Sequence, residues 1–133
     1  MGRANEEIAH EGYAAWNHQD LAWLRARVSE DFEFRPAPEF PGLEAVYRGL
    51  DGWESFLDHW RQTWDFHRFT IRRIEDLDDQ VLVLVVSEGR GKGSGISVEM
   101  ETAHLWTLRD ELVVRGLAYA SWQEALEAVG LSE

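Results

Sequence analysis

The sequence has no cysteine, which excludes disulfides, thiolate metal sites and cysteine nucleophiles and suits a reducing cytoplasm. Positive charge is scarce: 13 Lys and Arg stand against 25 Asp and Glu, a formal net charge of −12. Such a chain repels phosphate backbones and anionic lipid at neutral pH, so neither nucleic acid nor a membrane is an expected partner. No apolar run approaches the roughly 18 residues that a spanning helix needs. The opening MGRANEEIAHEGY shows no apolar signal core, and a cytoplasmic location is expected. Proline occurs three times, all between residues 36 and 41, which confines strand breaking to one loop, a candidate lid. No serine stands in a nucleophile elbow, which argues against covalent hydrolysis. The five histidines lack the spacing of a metal site, and no metal is expected.

What the chain has in quantity is aromatic surface: seven Trp, six Phe and three Tyr. At 133 residues the length suits one domain over 1–133, with a core or cavity built from large flat side chains. An amphipathic helix is expected over about 4–17, with Ile8, Ala15 and Trp16 on its apolar stripe and Tyr13 beside it. Asp20 can cap a short second helix with Leu21, Leu24 and Val28 inward. Residues 31–35 alternate with Phe32 and Phe34 inward, and 44–48 form a short strand ended by Gly49. The strongest helix signal starts at Asp51, with Glu54 in a capping-box position and Trp53, Phe56, Leu57, Trp60 and Trp64 at helical spacing.

Four β-prone runs follow. Residues 66–77 and 81–92 flank a polar turn, and VLVLVV at 81–86 is apolar on both parities, which requires burial on both faces. The glycines at 89, 91, 93 and 95 match no phosphate-loop spacing and read as a hairpin tip. Residues 96–108 place Ile96, Val98, Met100, Thr102, His104, Trp106 and Leu108 on one face. Asp110 and Glu111 read as a two-residue turn, which sets His104 opposite Leu117, Arg115 opposite Trp106 and Tyr119 opposite Thr102. A titratable ring, a cation and a phenol then share an apolar surface. A last helix over 122–129 begins with Ser121 and Glu124 as a capping box and ends at Gly130.

Several stretches carry a resemblance over nearly the whole chain: Tyr13-Ala14-Ala15-Trp16-Asn17 leading to Asp20-Leu21, then Val46-Tyr47-Arg48-Gly49. His104-Leu105-Trp106-Thr107-Leu108-Arg109-Asp110 and Val113-Val114-Arg115 with Tyr119 complete it. The chain resembles the SnoaL-like branch of the NTF2-like superfamily. The resemblance implies an α+β cone in which a strongly curved, mainly antiparallel sheet wraps around three N-terminal helices, with a short C-terminal helix. It also implies a homodimer paired through the outer sheet face and a cavity for a small hydrophobic ligand. Polyketide cyclases of this kind carry an acid/base aspartate where this chain has His104, and histidine can move protons near neutral pH. Their usual turn glycine is replaced by Glu111.

The expected function is small-molecule binding, with cofactor-independent acid/base chemistry such as isomerisation, cyclisation, dehydration or hydration. The alternative is a non-catalytic binding or dimerisation module. His104 is the candidate catalytic residue, or else a buried histidine satisfied by one hydrogen bond. Tyr13, Trp16, Phe34, Phe56, Trp60, Trp106, Arg115 and Tyr119 are candidate ligand contacts. Each has a plainer reading, the aromatics as core and Arg115 as a cation stacked on Trp106.

Overall fold

A computed structural model describes residues 4–40 and 42–132. Four helices and six strands follow in the order α1 (Asn5–Asn17), α2 (Leu21–Ala26), β1 (Val28–Arg35), β2 (Tyr47–Arg48) and α3 (Gly49–Thr63). Then come β3 (Trp64–Asp76), β4 (Gln80–Gly91), β5 (Ser97–Arg109), β6 (Leu112–Tyr119) and α4 (Trp122–Ala128). The strands form one curved, unclosed sheet in the order β2-β1-β6-β5-β4-β3. All neighbours are antiparallel except β1 and β6, whose parallel pairing makes the sheet mixed. This is the α+β architecture that the sequence implied.

β4 explains why one sheet needs helices on both faces. Its Val81, Val83 and Val85 pack inward against Ile8, Ala9 and Tyr13 of α1. Its Leu82 and Leu84, with Ala103 and Leu105 of β5, pack outward against Ala125 and Leu126 of α4. The unbroken VLVLVV run is thus buried on both parities, as expected for a strand covered twice. A third cluster joins Phe32 and Phe34 of β1 to Trp53, Phe56 and Leu57 of α3. Register shifts between Trp64 and Phe66 and between Ile71 and Arg73 bend β3, the effect expected of bulges.

Local boundaries differ from the sequence expectations for identifiable reasons. Val28 begins β1 instead of extending α2, because it pairs with Val113 of β6. The short strand shrinks to Tyr47–Arg48. α3 starts at Gly49, whose φ of +67° turns the chain straight from β2 into the helix. Asp51 therefore lies inside the first turn, and the helix has no side-chain cap. Trp64 is extended and opens β3. At the other end of the chain, Ser121 does cap α4, accepting from the Glu124 amide at 3.2 Å.

The β5–β6 hairpin carries the correction that matters most. Asp110 and Glu111 form the expected turn with φ of 52° and 66°, the left-handed pair that a tight hairpin requires. A bulge at Val114 then moves the register by one residue, so His104 faces Ala118, Trp106 faces Gly116 and Tyr119 faces Ala103. Arg115 faces Thr107 instead of Trp106, and a one-residue slip carries its side chain to the opposite face of the sheet. The vacancy opposite Trp106 makes room for its ring: a Cβ on Gly116 would lie 2.3 Å from the Trp106 ring and 2.9 Å from Phe34.

Two stability changes are expected. Glu111→Gly relieves a left-handed strain of about 1 kcal/mol and raises the urea midpoint; a lowered midpoint would contradict the turn assignment. Gly116→Ala overpacks Trp106 and costs about 1–3 kcal/mol in the same measurement, whereas an unchanged midpoint would contradict the close approach.

Candidate functional site

Between α1, α3 and the inner face of the sheet lies a cavity of about 350 Å³, within the size range of small-molecule pockets. Its walls use Trp16, Trp23, Trp53, Trp60, Trp64 and Trp106, together with Phe32, Phe34, Phe40, Phe56 and Phe69. Despite the strongly acidic chain, no carboxylate lines it among the described residues; its one charged lining residue is Arg27, which lies over Trp23. The walls are otherwise mainly apolar and aromatic.

The first polar feature is a chain of three side chains. The Trp106 indole N–H donates to Tyr13 Oη at 2.9 Å, and Tyr13 Oη lies 2.7 Å from His104 Nδ1. Indole can only donate. Tyr13 therefore receives one proton and, with no other acceptor in reach among the described residues, gives its own to His104, whose Nδ1 accepts. The neutral ring must then carry its proton on Nε2, which has no protein partner among the described residues. His104 lines the cavity, so that N–H is available to a ligand. Burial pushes the His104 pKa down to about 3, with His67 adding to the effect. Burial also raises the Tyr13 pKa, partly offset by the Trp106 hydrogen bond. Both groups are neutral at physiological pH.

The second feature has the same logic. Trp16 Nε1–H donates to His67 Nδ1 at 3.0 Å, which leaves the His67 proton on Nε2, 2.8 Å from Ser87 Oγ. Burial lowers the His67 pKa to about 4. Phe69 stands between the two imidazoles, with ring centroids 4.6 Å from His67 and 5.1 Å from His104.

The cavity brings together Tyr13, Trp16, Phe34, Phe56, Trp60, His104 and Trp106. Phe34 stacks on Trp106 at 5.9 Å and 16°, and Trp60 keeps a buried indole N–H with no partner among the described residues. Tyr119 borders the cavity but also packs with the outer cluster under α4. Arg115 is exposed and stands apart from the cavity. In the proline-rich loop, Pro36, Ala37, Phe40 and Leu43 form part of the wall; Pro41 lies outside the described residues. His67 and Ser87 were not singled out from sequence. Their signal is the β3–β4 pairing, which sets Phe69 opposite Ser87 and His67 opposite Gly89.

Among curated proteins, none matches the sequence significantly. Solved structures resemble the fold closely. An NTF2-like protein of unknown function from Burkholderia pseudomallei has a TM-score of 0.82 at 18% identity, covering 95% of this chain and 97% of its own. TerC, co-crystallised with polyporic acid, has a TM-score of 0.79 at 23% identity, covering 92% of this chain and 98% of its own. IdmH, a candidate polyketide cyclase from Streptomyces antibioticus, has a TM-score of 0.71 at 18% identity, covering 95% of this chain and 98% of its own. At these identities the likeness is one of fold. The model of the SnoaL-like domain matches residues 9–116, and the chain belongs to the SnoaL-like family.

Proposed function

We propose that the protein binds a small, uncharged, mainly aromatic molecule in its cavity and directs a carbonyl oxygen of that molecule to His104 Nε2–H. The observation that carries this reading is the pairing of aromatic walls with one histidine whose inner nitrogen is held by Tyr13 and whose outer nitrogen is left to the ligand. A donor fixed in an apolar cavity stabilises charge that develops on a carbonyl oxygen. Acting so, His104 polarises the carbonyl, an activation that isomerisation, cyclisation and dehydration can all use. No cofactor is required. The likeness to TerC, crystallised with polyporic acid, supports an aromatic oxygenated ligand. In this reading His104 is a hydrogen-bond donor to the substrate, and the family's acid/base aspartate has no counterpart at its position. The homodimer and the cytoplasmic location belong to the same proposal, the former supported by Phe66 and Ile96, which remain 45% and 64% exposed.

A second reading, a carrier without turnover, is favoured by a specific observation. No carboxylate lines the cavity among the described residues, and both histidines are poor bases.

Binding of 4-acetylbiphenyl and of 4-ethylbiphenyl, which lacks the carbonyl, tests the donor role by tryptophan quenching. The ketone is expected to bind up to about tenfold more tightly. His104→Leu should shrink the difference, and His104→Asn, which keeps an N–H donor without a titrating ring, should retain it. Equal binding of the two compounds to the unaltered protein would remove His104 from recognition.

The neutral histidines also set a pH dependence. Both have folded pKa values below the ordinary 6.5, so between about pH 4 and 6.5 the unfolded chain binds more protons than the folded one. Stability is then full above 6.5 and falls as the pH drops through that window, by up to about 1.4 kcal/mol per pH unit for each histidine. Urea midpoints from pH 7.5 to 5 should decline accordingly; constant midpoints would mean that the rings are not buried neutral.

A further inference from the structure

Ser87 lies on the same inner face as His104. It pairs across the sheet with Met100 and Phe69, while His104 pairs with Val83. Four residues of β4 separate the two levels, roughly 13 Å at strand spacing. The groups facing each other at these levels are neutral: Tyr13 and Trp106 at the His104 level, Trp16 and His67 at the Ser87 level.

The hydrogen bonds fix what Ser87 can do. Trp16 can only donate, so His67 Nδ1 accepts and His67 Nε2–H donates to Ser87 Oγ. The Ser87 hydroxyl proton then has no acceptor in the protein among the described residues, yet Ser87 lines the cavity. The low pKa of His67 keeps this arrangement over the physiological range. The network is half-buried, and its one unspent proton faces the cavity, where an entering acceptor completes it.

Resting on the binding reading above, we infer that Ser87 O–H is a second ligand anchor, oriented by His67 and Trp16, and that the ligand class is a rigid aromatic molecule bearing oxygen acceptors at both ends. His104 holds one oxygen, the aromatic walls hold the rings between, and Ser87 holds the other. His67 and Trp16 are positioning residues. They do not touch the ligand oxygen themselves but leave the serine a single useful donation.

The test compares 4,4′-diacetylbiphenyl with 4-acetylbiphenyl by isothermal titration. A symmetric diketone gains a statistical factor of two from its two ends alone; a second hydrogen bond adds about three- to tenfold to that. Ser87→Ala should reduce the preference to twofold or less while lowering 4-acetylbiphenyl affinity by no more than about twofold, the loss of one of two orientations, and Ser87→Thr should restore the preference. His67→Phe, which keeps an apolar wall, should behave as Ser87→Ala does, a selective loss that a merely structural role would not produce. A preference of twofold or less in the unaltered protein, or one that survives Ser87→Ala, overturns the second anchor and leaves the binding reading intact. Failure of both ketones to bind overturns both.

Discussion

The site depends on a property of indole: it gives a hydrogen bond and cannot accept one. In a cavity with few polar groups, a donor with no choice fixes the orientation of everything bonded to it. Trp106 fixes Tyr13, and Tyr13 fixes the His104 tautomer. Trp16 does the same for His67 and Ser87. Without the two tryptophans each ring could adopt either tautomer, and the cavity would present an acceptor as readily as a donor. With them, it presents donors.

The fold sets these chains among the apolar walls of the cavity. Tyr13 and Trp16 come from one face of α1, and that helix is seated by Ile8 and Ala9 on the valines of β4. Trp106 is positioned by an absence, since only a residue without a side chain at 116 leaves room for its ring and for the stacked Phe34. Gly89 repeats the arrangement at the other end, where an added Cβ would lie 2.8 Å from Trp64. Among the described residues no carboxylate lines the cavity, so nothing there offsets the burial that keeps the two histidines neutral. An apolar interior that offers donors and no carboxylate among the described residues favours ligands with oxygen acceptors over cations.

The period-two pattern of β4 and β5, the apolar stripe of α3 and the Ser121 cap were legible because each rests on local residues. The family-level architecture followed from their order. What local pattern could not supply was set by pairing. Val28 has helical spacing with Leu21 and Leu24 but is claimed by Val113 across the sheet. Arg115 was expected beside Trp106, and one extra residue at Val114 moved it to the exposed face. Tyr13, His104 and Trp106 could be listed from sequence but not connected, because a separation of 91 or 93 residues is closed only when α1 lies on the sheet. His67 fell within the β-prone run at 66–77, on the parity of Phe69, and only the β3–β4 register brings it to Ser87.

The measurement that bears most directly on the account is a long-range ¹H–¹⁵N correlation spectrum of the histidine rings at pH 7. The account predicts that His104 is neutral and protonated on Nε2, with Nδ1 as the acceptor of the Tyr13 hydroxyl, and that Tyr13→Phe disturbs that pattern. A His104 ring that is protonated on Nδ1, or that carries both protons at pH 7, would contradict it and with it the donor-lined cavity.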